Sequence, residues 1–405
     1  MNAPAAPGDA YTLPPEMLAK AVALSHIRNV LAFGGSLWEI AFLWLLLATR
    51  AAARVERWTQ RIVSRIWVQG LIFFSLFLIA VFVAGLPFDW FAQQTSRGYG
   101  ISVQSWPGWL RDESTSLALT LIVGAPLLLF FNWIVRRWPR RYWLVAWLIG
   151  LPLLLIAVFA QPLAIDPLFN KFEPLQQSDP MLARQLETVA HRTGIDIPPS
   201  RMYLMKASAK TNGLNAYVTG IGPTKRIVVW DTTAGRIPND EILFIFAHET
   251  GHYVLHHIAK GLAVSAVCIF FIFWICAGVA GRLVRRRGSH WQIESLRGRA
   301  GFVVLLLVLV IAGFLVEPGG NAISRYFEHQ ADVYGQEAIH GIVPHPRRTA
   351  VDAFNALGRA WLENPHPSPF AEFWLDSHPG IRQRAQFAAS YDPWKNGGHG
   401  KYFGF

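Results

Sequence analysis

Long apolar runs alternate along the chain with short basic segments. Five stretches are free of charge over the roughly 17 to 25 residues an apolar helix needs to cross hydrocarbon: 66–87, 114–135, 142–165, 261–281 and 300–316. A sixth, weaker run at 29–49 carries Glu39 in its middle. An ionised group there is costly and so a functional candidate, although a wet interior or a helix end is the simpler explanation. No basic leader precedes a short apolar core with a small-residue cleavage site, so this run does not read as a secretion signal. Trp67, Trp90, Trp133, Trp138 and Trp143 flank the runs as interfacial belts do. The pattern predicts a predominantly α-helical multi-pass membrane protein of about six spans.

The remaining sequence divides into two polar pieces. In the first, 181–191 reads as a helix stopped by Gly194, followed by short strands at 202–205, 215–219 and 226–230, the last two joined by a turn at 220–225. A further helix is expected from Pro238, capped by Asn239 or Asp240. In the second piece, 321–340 reads as a separate helical stretch, followed by a Pro-rich segment and a helical tail to about Tyr391. The expected division is a membrane part with four spans at 1–165, a catalytic segment at 166–260, a transmembrane hairpin at 261–317 and a helical segment at 318–405.

Composition agrees with a membrane protein, at 52% hydrophobic residues, 16% charged and a mean hydropathy of +0.28. Cys268 and Cys276 lie roughly 12 Å apart along one helix and cannot bridge to each other. The net charge of +11 sits largely in loops between apolar runs, which makes it a topology signal; no nucleic-acid partner is expected. Three loops are strongly basic: Arg50 to Arg65, Arg136 to Arg141, and Arg282 to Arg299. Alternation over six spans puts all three on one side. By the positive-inside rule that side is cytoplasmic, and both termini and the segment 166–260 face away from it.

The helix after Pro238 contains His248-Glu249-Thr250-Gly251-His252. Histidines four apart share one helical face, so two imidazoles can reach one zinc ion while the glutamate between them handles its water. Leu255 and Ile258 stand where the subclass with a third histidine needs glycine and histidine, which excludes that subclass. A catalytic zinc takes three protein ligands and keeps an open position. Glu294 lies one span away, across the membrane, and is rejected; Glu317, Glu328 and Glu337 return to the right side. Glu328 is favoured as the third ligand. Asp332, one turn further, shares its face and can accept a hydrogen bond from the free nitrogen of a metal-bound histidine. Glu317 reads as a helix end at the membrane boundary. His256, His257 and His329 read as helix-surface histidines, and Lys206 and Lys210 as solvated charges.

From about Leu86 to Arg384 the chain resembles the type I CAAX prenyl proteases, integral-membrane zinc endopeptidases. The likeness rests on Leu86-Pro87, on Thr211-Asn212-Gly213-Leu214-Asn215-Ala216-Tyr217, on Lys225 to Thr232, on His248 to His252, on Asn321 to Arg325 with Glu328 and Asp332, and on Ser377-His378-Pro379 with Arg384. The resemblance implies membrane helices around a water-filled chamber, with a small α+β, zincin-like catalytic domain and one zinc at its mouth. His248, His252 and Glu328 would be the ligands and Glu249 the general base. Asn215 and Ala216 would lie on an edge strand pairing with the substrate backbone, and His378 with Arg384 would steady the transition state. Read without the resemblance, His378-Pro379 is a helix start with a histidine cap.

Two departures stand out. Six spans are counted where the eukaryotic relatives have seven, and the charge count turns the catalytic segment away from the cytoplasm. The expected function is a membrane-embedded zinc endopeptidase acting on a peptide or protein substrate, with or without a prenyl group. Its place would be the inner membrane of a bacterium or the endoplasmic reticulum of a eukaryote. The rival is a transporter or scaffold that binds zinc structurally or as cargo. It requires a closed four-ligand site and no Glu249, and shows no inverted repeat.

Overall fold

The computed structural model describes residues 10–220 and 224–404. The chain begins with α1 (Pro15–Ala48), a short amphipathic α2 (Ala51–Ile62) and α3 (Ile66–Gly98). Next come α4 (Trp106–Arg137), which includes a π-helical stretch at Thr120–Gly124, and α5 (Tyr142–Phe169). The catalytic segment contributes β1 (Phe172–Pro174), α6 (Pro180–Thr193), β2 (Met202–Met205), β3 (Ala216–Thr219), β4 (Arg226–Trp230) and α7 (Asn239–Val254). Two long helices follow, α8 (His257–Trp291) and α9 (Arg299–Ala338), and then α10 (Pro346–Trp361), α11 (Pro369–Leu375) and α12 (Ile381–Ser390). Among the described residues six helices can cross a membrane: α1, α3, α4, α5, α8 and α9.

These helices outrun the apolar stretches that announced them. α3 continues through Pro87 to Gly98, and the separate helix expected at 321–340 is the second half of α9. A proline removes one backbone hydrogen bond, which a long helix tolerates, and the first polar residue ends burial in lipid without ending the helix. Glu317 therefore lies inside a helix and not at its end. The expected cap of α7 is also corrected. Pro238 occupies that position without a side-chain bond, and Asn239 instead donates from Nδ2 to Gln185 Oε1 at 2.7 Å.

The sheet has the order β1-β2-β4-β3, with β2 and β4 parallel and β3 antiparallel on one edge. β1 was not foreseen, since three residues hold too short an alternation to read. α6 packs under the sheet with Leu182, Leu186 and Val189 buried. Asp179 caps its start by accepting from Leu182 N at 2.9 Å, and Gly194 ends it at φ 71°. Part of the turn expected at 220–225 lies outside the described residues. Lys206 and Lys210 are not free charges: they pair with Glu173 and with Asp112 of α4. The second pair helps fasten the catalytic segment to the membrane part, together with Asn212, which donates from Nδ2 to Gly100 O at 2.8 Å.

Two large apolar cores result, beside a small cluster of Met205, Ala207 and Val228. One lies in the membrane at the basic end and includes Phe73, Phe74, Ile134, Ala280 and Val303. The other lies under the sheet and includes Leu186, Phe244, Phe246, Tyr334 and Phe354. Burying each such large side chain contributes about 1.5–3 kcal/mol. α9, roughly 60 Å long, runs through both. Between the cores the spans are thinly covered: at most 22% of residues in the apolar windows of the other five spans are buried. Arg50 Nε donates to His290 O and Arg57 to Gln292 Oε1, while Arg299 pairs with Glu56, which joins the first and third basic loops; Arg136 of the second lines the same cavity as Arg57 and Arg297, so all three lie at one end of the molecule.

Candidate active site

α7 and α9 cross closely enough that a Cβ on Gly335 would lie 2.9 Å from His248 N, and one on Gly251 would meet Tyr334 at 3.0 Å. This approach brings His248, His252 and Glu328 together, with one ligand atom of each within 4.8 Å of the others. His248 Nε2 lies 3.2 Å from His252 Nε2 and 3.2 Å from Glu328 Oε2, and His252 Nε2 lies 3.5 Å from Glu328 Oε1. A tetrahedral ion with ligand bonds of about 2.0 Å has edges of roughly 3.3 Å, so the two nitrogens and the Glu328 carboxylate fit one metal. The donor chemistry agrees. Two imidazole nitrogens and a carboxylate converge, and buried Glu328 Oε2 has no hydrogen-bond partner among the described residues.

Each histidine is held from behind. His248 Nδ1 lies 2.9 Å from Asp332 Oδ1, so its N–H donates there and its Nε2 lone pair faces the site. Burial works against charge on His248, but the neighbouring carboxylates of Asp332 and Glu328 outweigh that and raise its pKa to about 9. Burial and the neighbouring His248 push His252 down to about 3, which keeps it neutral.

Behind His252 stands a residue the sequence reading placed on the surface. His257 is buried, lies 3.2 Å from His252 by Nδ1 and 3.0 Å from Gln330 Oε1 by Nε2, and stacks on Phe327. Gln330 Oε1 can only accept, so His257 carries its proton on Nε2 and accepts from His252 Nδ1–H. The chain reaches this arrangement by a sharp reversal between α7 and α8, with His256 in the left-handed region at φ 58°.

The other expected residues line a cleft of about 570 Å³ beside the metal site: Asn215, Ala216, Glu249, His378 and Arg384. Burial pushes Glu249 up to about 7, against the opposing pull of His248, and Val218 of β3 gives it a backbone hydrogen bond. Asn215 precedes β3, and its carbonyl accepts from Trp230 N, which faces it into the sheet. By alternation Ala216 turns its backbone outward, toward the cleft. His378 Nε2 lies 3.3 Å from Glu328 Oε1, and its Nδ1 is 2.9 Å from Ser377 Oγ. The cleft's desolvation lowers its pKa, leaving a neutral imidazole whose Nε2–H can donate. His378 does not cap a helix, because α12 begins at Ile381 after Gly380. Arg384 grips Asp332 with two bonds, of 2.9 and 2.6 Å, and reaches Glu328 Oε2 at 3.5 Å. Its buried charge is spent on these carboxylates, so it organises the site from behind. Glu294 is at the far, basic end, Glu39 is exposed, and buried Glu337 serves the C-terminal tail by accepting from the backbone of Lys401 and Tyr402.

A model of peptidase family M48 matches residues 176–392, the segment that holds His248, Glu249, His252, Glu328, His378 and Arg384. The chain belongs to that family. A second model, CAAX prenyl protease N-terminal, five membrane helices, matches residues 8–171, so M48 features extend over the membrane part. The uncharacterized metalloprotease YhfN of Bacillus subtilis is 36% identical over 92% of this chain and 86% of its own length. CAAX prenyl protease 1 of Saccharomyces cerevisiae is 27% identical over 78% of this chain and 71% of its own. The crystal structure of S. mikatae Ste24p matches with a TM-score of 0.81, covering 96% of this chain and 92% of that one at 23% identity, a likeness of fold. This M48 chain is an integral-membrane metalloprotease, a hydrolase acting on peptide or protein substrates. The transporter alternative is not favoured.

Proposed function

We propose that the chain is a zinc endopeptidase that binds one ion through His248, His252 and Glu328 and cleaves an extended segment fed to it from the membrane. The observation that carries this reading is the convergence of those three ligand atoms beside a cleft lined by Glu249 and His378. Zinc would supply Lewis acidity at the scissile carbonyl and acidify the attacking water. Glu249 takes the proton from that water and passes it to the leaving amine, as a carboxyl held near neutral pH can. His378 Nε2–H donates to the oxygen on which negative charge develops. Ala216 offers its free backbone groups to the substrate strand, and Asn215 lines the same wall. Asp332, with Arg384 behind it, keeps His248 in its metal-binding orientation.

The four stretches 1–165, 166–260, 261–317 and 318–405 would divide the labour into chamber, catalytic wall, hairpin and third ligand. The charge of the loops turns the cleft away from the cytoplasm, as in the inner membrane of a bacterium. Relatives named CAAX prenyl proteases motivate a C-terminal tail as substrate, with or without a lipid on it. No feature calls for nucleic acid.

The test is cleavage of a prenylated peptide and its unmodified twin by wild type and Glu249→Gln, with the position read by mass and zinc measured in the purified protein. Wild type carries one zinc and cuts, while the variant keeps its zinc and loses activity by about 100-fold or more. Equal cleavage by the variant, or active protein without zinc, would sink the reading. Cleavage of the prenylated peptide alone would assign the chamber to the lipid.

A further inference from the structure

At the end opposite the cleft, a cavity of about 490 Å³ opens between α2, the start of α3, the end of α4 and the loop into α9. Arg57, Arg136, Arg297 and Arg299 line it. Arg299 is its buried floor, held by Ile66 O at 2.9 Å, Gln69 Oε1 at 3.0 Å and Glu56 at 3.8 Å. Two carboxylates also line the cavity. Glu56 is already committed, since its oxygens accept from the backbone N–H groups of Arg299 and Ala300 at 2.9 and 3.0 Å and cap α9. Glu294 alone therefore faces the exposed Arg57, Arg136 and Arg297. Arg57 spends one nitrogen on neutral Gln292, and among the described residues Arg136 and Arg297 form no ion pair. The cavity carries surplus positive charge in three planar forks, the group best matched to phosphate oxygens.

Position selects the source of the phosphate. Ile66 and Trp67 at the start of α3 are exposed, as are Trp58 and Ile62 on α2, so apolar side chains surround the cavity at the level where a span leaves hydrocarbon. We propose that this cavity binds the headgroup of an anionic membrane phospholipid. Arg57, Arg136 and Arg297 meet the phosphate, Gln60 and Ser295 meet hydroxyls of the headgroup, and the acyl chains run outward past Ile66 and Trp67. One lipid so placed ties α2, α4 and the root of α9 together.

The test uses the full-length protein, titrated in detergent with short-chain phosphatidylglycerol and read by native mass spectrometry. One molecule per chain is expected. Arg136→Gln and Arg297→Gln should each weaken retention by roughly fivefold, and Glu294→Gln should strengthen it. Arg285→Gln and Arg286→Gln remove the same charge from the same end, outside the cavity, and should leave retention unchanged. All of these side chains are exposed, and thermal melts verify that the variants fold. Equal losses in the outside variants would reduce the effect to general surface charge and overturn the site. Retention of phosphatidylcholine to the same degree, or displacement of the lipid by millimolar inorganic phosphate, would overturn it as well.

Discussion

The two histidines of the HExxH helix are supported by different chemistry. Behind His248 stands a charged pair, Asp332 with Arg384, and behind His252 stands a neutral imidazole, His257. A charged support binds strongly but needs its counterion, whereas a neutral one supplies orientation alone. His257→Ala should therefore lower metal affinity by about 10-fold or more in a chelator competition. His257→Asn, whose carbonyl can still accept from His252, should recover part of the loss. Equal affinity in all three proteins would remove His257 from the site. Asp332 was legible in the sequence because it lies one helical turn from Glu328. His257 was not, because its approach depends on a reversal at His256 for which the residue types give no signal.

Elements position these residues through close backbone contact. Gly335→Ala would drive a methyl against the backbone of His248, which cannot move aside without dragging the ligand. About 1–3 kcal/mol of stability should be lost, together with metal occupancy, measured by thermal melting and metal content. Gly313→Ala, in open space on the same α9, should instead stabilise by up to about 1 kcal/mol. At the start of α7, burial pushes Glu241 up to about 7, with Asp352 and Asp240 adding to the effect. Its folded pKa exceeds the unfolded value of 4.5, so the fold binds this proton more tightly, and stability falls as pH rises from about 4.5 to 7. Glu241→Gln should thus raise the melting temperature at pH 8 but not at pH 4. After allowance for solvent screening the gain is about 1 kcal/mol. A gain that is the same at both values would point to packing. Strands β2 and β4 were readable from their β-branched and apolar residues, but the order that leaves β3 on the edge was not, since pairing is set by contacts distant in the chain.

At the scale of the whole molecule, α9 ties the two large cores together by passing through both. The three basic loops meet at one end and the cleft opens at the other, so the orientation of one fixes that of the other. A reporter fused after Phe405 should be active on the non-cytoplasmic side, and a cytoplasmic signal would reverse the proposed orientation. By itself the sequence made the spans legible, and with them the helical spacing of His248 and His252, because hydropathy and helical spacing are local properties. It also led to Glu328, since topology had already removed Glu294. Only the tertiary structure decided that the last span and the helix carrying Glu328 are one helix, that Lys210 bridges to Asp112, and that Arg384 grips Asp332. It likewise joined Arg57, Arg136 and Arg297 around one cavity. These pairings bring together residues far apart in the chain, and their energy exists only once the helices have packed.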